Sequence, residues 1–341
     1  MIALKCYTFV KEQKIMYKKK VGVVCGGYSS EHEISLQSGE TVFSTLDRNL
    51  WEVFLIVLNK DSWTAKDDNE ITYSVSKGDF TLINSNSTIK LDLIFNLVHG
   101  AMGENGQLAA LWELLKIPFS SCDSYNAALT FNKRDCLTVL KASGIPTAKS
   151  CALDKGDAID ANAIVETVGL PCFVKANRAG SSFGVFKVYR EDDLLESIQK
   201  AFEEDTQLII ESFLDGREVS VGVATLENIV HVLPITEIIS ENDFFDYGAK
   251  YLGESQEITP ANIPENWEKQ VQKLSKKIYF KLGLKGIVRS EFIFVKNVAH
   301  LLEINSVPGM TANSIVPQQV NADGMELSDF FTKILKQIEA R

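Results

Sequence analysis

The sequence predicts a mixed α/β and α+β chain that opens with a doubly wound parallel α/β domain. Three observations predict it. A short apolar run at residues 21–25, a helix to about residue 47, strand-like stretches at 51–58 and 91–98 and a helix from about residue 106 give the strand and helix alternation of a parallel sheet. The middle of the chain alternates strands with a charged amphipathic helix. The last third carries antiparallel strands that end in an acidic hairpin.

In chain order, residues 1–15 show neither an export-signal core nor a cleavage motif, and the pattern restarts at Met16. They are expected to be a disordered, dispensable leader. Residues 21–25 end in Gly26-Gly27, a buried strand turning into a loop, and a helix follows to about residue 47. Strands at 51–58 and 91–98 follow, the second closing at His99-Gly100; a helix over about 106–115 leads to a short strand at 117–119. A helix over 133–142 ends at Gly144. A strand at 170–176 runs into Gly180-Ser181-Ser182-Phe183-Gly184 and a further strand to Val188. A helix over 192–203 and a strand at 207–211 close this middle portion. Antiparallel strands occupy 216–230, then come a loop of unusual content at 240–259, a helix over 265–282, the acidic hairpin and a helix near 328–340. The expected division is a leader over 1–15, an N-terminal α/β domain over 16–121, a central lid-like domain over 122–210 and a C-terminal domain over 211–341.

Composition narrows the function. A net charge of −10 and a pI near 5.1 argue against a nucleic-acid surface while leaving room for a local anion site. No apolar run is long enough to span a bilayer. Six scattered cysteines without a C-x-x-C pair read as free thiols in a reducing cytoplasm. The third glycine of a dinucleotide fingerprint is missing after Gly26-Gly27, and there is no G-x-x-x-x-G-K-[ST].

The acidic hairpin is the most informative segment. Side chains alternate along a strand, so Arg289 and Glu291 share one face, as do Glu303 and Asn305. A two-residue turn at Lys296-Asn297 sets Glu291 opposite Leu302; a three-residue loop over 296–298 sets Glu291 opposite Glu303 and Arg289 opposite Asn305. The three-residue loop is therefore expected, with Asn297 or Val298 near a bulge. The product is two carboxylates, an amide oxygen and a guanidinium on one patch. Carboxylates that close need cations between them, and an all-oxygen set selects Mg²⁺ completed by phosphate oxygens. A lone Glu-x-Asn is more simply a surface hairpin. The addition of Arg289 and of Ser306-x-Pro308-Gly309-Met310, whose glycine lets backbone N–H groups approach a reacting group, tips the balance.

Weaker signals lie elsewhere. The small-residue loop at 180–184, just after Lys175, can present backbone N–H groups and hydroxyls to phosphate, though a plain hairpin turn reads equally well. Glu211 ends a strand where a carboxylate can read an adenine amino group, or simply starts a linker. The loop at 245–251 gathers aromatics, a lysine and an aspartate and can order over a ligand. Glu31 and Glu33 precede a helix and, in isolation, read as capping and dipole pairing. His99, one of four histidines, sits in a glycine-rich strand-to-helix loop.

Taken in order, Gly26-Gly27-x-Ser29-x-Glu31-x-Glu33-x-Ser35, His99-Gly100-x-x-Gly103-Glu104, Lys175 with Gly180-Ser181-Ser182-x-Gly184, Tyr247-x-x-Lys250-Tyr251 and Glu303-x-Asn305-x-x-Pro308-Gly309-Met310-Thr311 resemble the D-alanine–D-alanine ligase family of the ATP-grasp superfamily. The resemblance runs from Val21 nearly to the C-terminus. It implies an ATP-grasp fold and ATP-dependent joining of two D-alanines through a D-alanyl phosphate, for peptidoglycan precursor synthesis. ATP is the implied co-substrate, with two Mg²⁺ ions for which Mn²⁺ can substitute.

By the same resemblance Lys133 and Lys175 touch ATP phosphates, the loop carrying Ser182 closes over them, Glu211 contacts adenine, Glu218 holds the ribose and Lys250 contacts phosphate. Glu291, Glu303 and Asn305 bind metal. Glu31 holds the ammonium of the first D-alanine, in a hydrogen-bonded group with Ser181 and Tyr251, and His99 lies near the reacting carboxylate. Ser314 binds the second carboxylate, and Arg289 with the Gly309 N–H stabilises the tetrahedral oxyanion.

Three positions depart from the family pattern. Glu291 and Asn105 stand where Asp is usual, and Ser290 where an apolar residue is usual. The open alternatives are a different second substrate (D-lactate or D-serine) and a non-catalytic nucleotide-binding regulator. The Tyr251 hydroxyl favours an amine nucleophile, and intact Arg289, Glu303, Asn305 and Gly309 favour an enzyme. The expected assembly is a cytoplasmic homodimer that binds neither nucleic acid nor membrane.

Overall fold

The computed structural model describes residues 18–180, 183–240 and 255–340. The first sheet holds β1 (Lys19–Gly26), β2 (Trp51–Leu58), β3 (Trp63–Lys66), β4 (Thr72–Val75), β5 (Leu82–Ile83), β6 (Thr88–Ile89) and β7 (Leu93–Asn96), in the order β6-β5-β4-β3-β2-β1-β7. Its centre is parallel, with β1 between β2 and β7, and Phe119 adds a parallel bridge to Ile94. On the free edge of β2 the strands β3 to β6 form an antiparallel meander. Strands of two to four residues carry too little periodicity to stand out in the sequence, so this flank extends the parallel centre that the sequence predicts.

Helix α1 (His32–Thr45) packs on one face of this sheet and α2 (Gln107–Leu115) on the other, as a doubly wound pattern requires. Helices α3 (Ser124–Phe131) and α4 (Lys133–Ala142) then lead to the central sheet of β8 (Ser150–Asp154), β9 (Cys172–Ala176), β10 (Val185–Val188) and β11 (Gln207–Ser212). Its order is β10-β9-β11-β8, antiparallel throughout. Cys172, Val174, Leu208 and Ile210 face α5 (Ala161–Val168) and α6 (Leu194–Glu204). Directly paired residues share a face, so Phe173, Lys175, Lys187 and Glu211 occupy the opposite side.

The third sheet comprises β12 (Arg217–Leu226), β13 (Ile229–Val232), β14 (Thr236–Ser240), β15 (Ser255–Ile258), β16 (Ile287–Val295) and β17 (Val298–Asn305), ordered β15-β14-β12-β16-β17 with β13 beside β12. Helix α7 (Glu265–Leu282) and α4 cover one face through Val271, Ile278, Leu137 and Leu140 against Val219, Val221 and Phe292. Helix α8 (Ile315–Ala322) lies over the other face. Helix α9 (Leu327–Glu339) returns to the first sheet, where Phe331 meets Phe95 edge-on at 5.5 Å between ring centres. The first strand and the last described helix therefore share one core.

The acidic hairpin corrects the expected loop. Val295 pairs with Val298, leaving a two-residue turn at Lys296-Asn297 with both residues at positive φ, 48° and 67°. The ladder continues through Phe292↔Leu301 and then slips, so that Glu291 pairs with Glu303 and Arg289 with Asn305. Leu302 is the extra residue, a β-bulge. The expected facing of the four polar residues holds, but the odd residue lies within the strand and not in the turn. A primed two-residue turn matches the twist of the strands better than a three-residue loop, and the bulge restores the parity.

No helix among the described residues is long and apolar enough to cross a membrane. The described cysteines are free thiols, and burial pushes Cys25 and Cys136 up to about 12, far from a nucleophile's range.

Candidate active site

Three parts of the chain meet at a cleft bounded by Glu31 and Glu104, by Lys133 and Gly180, and by Arg289, Glu303 and Asn305. The hairpin supplies the acidic floor. Arg289 Nη1 contacts the Glu291 carboxylate and donates to Ser220 Oγ at 3.2 Å. Glu303 Oε2 lies 3.4 Å from Lys133 Nζ, which also donates to the Ala179 carbonyl at 2.6 Å. Lys133 thus ties the loop entering Gly180 to the hairpin. Asn305 Oδ1 accepts from the Val307 N–H at 2.9 Å and orients the chain toward Gly309.

This donor set fits a hard cation that shares its shell with a ligand. Among the described residues there is no cluster of three or more His, Cys, Asp or Glu that forms a ready-made cage. Two facing carboxylates and one amide oxygen suit Mg²⁺ completed by phosphate oxygens. The longer Glu291, standing where Asp is usual, folds back onto Arg289, while the neighbouring Ser290 is buried on the opposite, core-facing side.

Glu31 occupies the N-cap position of α1, yet its side chain makes no capping hydrogen bond. Its carboxylate faces two glycine loops instead: a Cβ on Gly180 would lie 2.7 Å from Oε2, and one on Gly100 2.9 Å. Any side chain at Gly180 would therefore strike the acid. Glu33, exposed in the first turn, is left as the ordinary dipole partner of that helix.

His99 is buried, with Nδ1 2.8 Å from the Val307 carbonyl and Nε2 3.2 Å from Ser38 Oγ. Ser38 Oγ in turn accepts from the Met310 N–H at 3.2 Å. One tautomer satisfies the chain: His99 donates from Nδ1 and accepts from Ser38 at Nε2. Burial holds its pKa below the ordinary value, with the Glu31 charge opposing, so the ring is neutral. Both ring nitrogens serve to fix the segment that carries Gly309.

Glu104 carries no role in the sequence motif, and the structure gives it a place in the cleft. Its Oε1 accepts from the Gly100 N–H at 2.8 Å. Burial, reinforced by the charge of Glu31, pushes its carboxyl up to about 8. The available signal was an acid inside the same glycine-rich loop as His99. The neighbouring Asn105 accepts from the Gln107 N–H at 3.1 Å ahead of α2, a task that Asp performs equally well.

At the far end, Lys175 Nζ and Glu211 Oε2 form a buried pair at 2.8 Å. Phe173 and Phe213 stand beside it with ring centres 6.1 Å apart, and Lys187 Nζ lies 4.0 Å over the Phe213 ring. An aromatic slot edged by a carboxylate and a lysine suits the base of a nucleotide. Glu218 lies on β12 on the same face as Ser220 and Glu291. Ser314 is the N-cap of α8; its Oγ is 2.7 Å from Thr311 Oγ1, and a Cβ on Gly309 would come within 2.9 Å of it. Ser181, Ser182, Lys250 and Tyr251 lie outside the described residues.

Comparisons of sequence and fold with known proteins point to one family. The family models "D-ala D-ala ligase N-terminus" and "D-ala D-ala ligase C-terminus" match residues 20–122 and 139–336. A D-alanine–D-alanine ligase of Flavobacterium johnsoniae is 49% identical over 318 residues, covering 93% of this chain and 98% of the relative. The crystal structure of D-alanyl-alanine synthetase A from Vibrio cholerae superposes with a TM-score of 0.85 at 26% identity, covering 96% of this chain and 100% of that one. A D-alanine–D-alanine ligase from Bacillus anthracis, crystallised with ATP, gives a TM-score of 0.77 at 27% identity over 94% and 97% of the two chains.

Proposed function

The chain belongs to the D-alanine–D-alanine ligase family and is an ATP-dependent ligase that joins two D-alanines, and from that premise we propose how its cleft carries the reaction. The observation that carries the reading is the hairpin register, with Arg289, Glu291, Glu303 and Asn305 on one face at a cleft closed on the other side by Glu31. A relative crystallised with ATP supports the nucleotide.

Glu31 holds the ammonium of the first D-alanine, within a group that includes Ser181 and Tyr251. Glu211 and Glu218 hold the adenosine, while Lys133, Lys175, Ser182 and Lys250 hold the phosphates. Glu291, Glu303 and Asn305 hold two Mg²⁺ ions (or Mn²⁺), which when bound offset charge on the phosphates. A carboxylate oxygen of the first D-alanine attacks the γ-phosphorus, the bond to the bridging oxygen breaks, and D-alanyl phosphate and ADP result. His99 fixes the loop beside the reacting carboxylate, and Ser314 takes the carboxylate of the second D-alanine. The second amine, after losing a proton, attacks the acyl carbon. Arg289 and the Gly309 N–H stabilise the oxyanion, and inorganic phosphate leaves. Water kept out of the closed cleft cannot hydrolyse the acyl phosphate.

In this reading residues 16–121 carry the first substrate, 122–210 form the lid and 211–341 the catalytic surface, following a leader over 1–15. The test is phosphate release from ATP across D- and L-amino acids and D-lactate. Release that requires D-alanine and yields the dipeptide is expected; release indifferent to D-alanine overturns the reading. The dipeptide enters peptidoglycan precursor synthesis in the cytoplasm. The enzyme is proposed to act as a homodimer, and a monomer in sedimentation at working concentration would refute that part.

A further inference from the structure

Glu257 has no role in the chemistry above, yet its surroundings point to one. It lies on β15, the outer strand of the catalytic sheet, paired with Ile238, which pairs with Glu218. Paired residues share a face, so Glu257 rises on the same side as Glu218, Ser220, Glu291 and Arg289. Ile238 packs against Ile315 in the first turn of α8, which brings the strand beneath that helix's N-terminus. There Gln318 Nε2 donates at 2.7 Å to Glu257 Oε2 and at 2.8 Å to the Asn313 carbonyl. One amide therefore holds the Glu257 carboxylate within two hydrogen-bond lengths of the residue that precedes Ser314.

The electrostatics put it toward the reacting centre as well. Burial raises the Glu257 carboxyl; the charges it feels are Arg289, which stabilises its anion, and Glu291, which opposes it. Arg289 is already engaged with Glu291. Among the described residues Gln318 is the hydrogen-bonding partner of Glu257, and it is neutral. Among the described residues no cation hydrogen-bonds this half-buried carboxylate, and a cation beside it would lower the cost of its burial.

We propose that Glu257 receives the ammonium group of the second D-alanine and so selects an amine over a hydroxyl nucleophile. The assignment rests on the proposed reading in which Ser314 binds the second carboxylate. In an α-amino acid one carbon separates carboxylate from ammonium, so a molecule anchored at the start of α8 and reaching toward Arg289 carries its ammonium past Glu257. A 2-hydroxy acid brings no cation and gains nothing there. If Glu257 were merely a strut for Gln318, an amide in its place would preserve that bond and leave substrate choice alone.

The experiment is full steady-state kinetics of Glu257→Gln, with separate KM values for ATP and the two D-alanines. Expected is a rise of roughly 10- to 100-fold in KM for the second D-alanine, the order of a lost charge-assisted hydrogen bond. KM for ATP and for the first D-alanine should stay within about twofold, and Glu257→Asp should recover part of the loss. With D-alanine and D-lactate both supplied, the depsipeptide share of product should increase. An unchanged second KM and product ratio overturns the proposal, as does an equal rise in all three KM values with a lowered melting temperature. If Glu257→Gln does not fold, Glu257→Asp decides by the same ratio of KM values. A wild type that makes no dipeptide, or Ser314→Ala with an unaltered second KM, overturns the underlying reading instead.

Discussion

Glu303→Gln is expected to abolish dipeptide synthesis while leaving the fold intact. Glu303 faces Glu291 across the bulged hairpin, and its Oε2 lies 3.4 Å from Lys133 Nζ. The substitution keeps the shape and removes one of the hairpin's two facing carboxylates. The remaining Glu291 is already engaged with Arg289, so it cannot offset the charge of a bound cation alone. A fall in turnover of about 10³-fold is expected, the order lost when one group stabilising transferring charge is removed. Stability should change little, because glutamine keeps the shape and its amide oxygen can still accept from Lys133 Nζ. The check is dipeptide formation at saturating Mg²⁺ beside a thermal melt. Near-normal turnover there would remove Glu303 from the metal assignment.

Arg289→Met should damage both activity and stability, for different reasons. The Arg289 and Glu291 side chains are 13% and 3% exposed, so the methionine leaves a buried carboxylate without its cation. Breaking a buried pair at one end costs roughly 3–5 kcal/mol. Adding Glu291→Gln removes the stranded charge and should recover most of that loss. Activity should not return, because the double variant lacks both the guanidinium proposed to stabilise the oxyanion and one of the proposed metal ligands. Denaturant unfolding of the single and double variants, paired with product assays, separates the two effects. A double variant no more stable than the single one would show that the pair does not carry the local electrostatics.

Much of the catalytic sheet was legible in the sequence because its signals are local. Alternation along β16 and β17 put Arg289 with Glu291 and Glu303 with Asn305, and the need to offset facing carboxylates implied a cation and phosphate. The strands β1 and β2 were visible for the same reason: past Lys19, Lys20 and Glu52 at their starts they are nearly all apolar, as buried strands of a parallel sheet are. The ordered motifs indicate the ligase family through residue identity and spacing alone.

What the sequence could not decide depended on small differences between local options, or on groups distant in the chain. A three-residue loop and a two-residue turn followed by a bulge give the same facing of Glu291 and Glu303; twist and packing along the whole ladder selected the bulge at Leu302. In isolation Glu31 reads as a helix cap and only the family resemblance gives it a substrate; the approach of Gly180 and Gly100 puts its carboxylate in the cleft. Glu104 acquired its raised carboxyl from burial beside Glu31, and Glu257 its place near Ser314 from Gln318, sixty-one residues away. By itself the sequence determined the fold class, the polar face of the hairpin and the family, because periodicity and motif order are properties of neighbouring residues. The tertiary structure alone decided which charges meet and which carboxyls are desolvated, because burial and electrostatic coupling exist only once distant segments pack together.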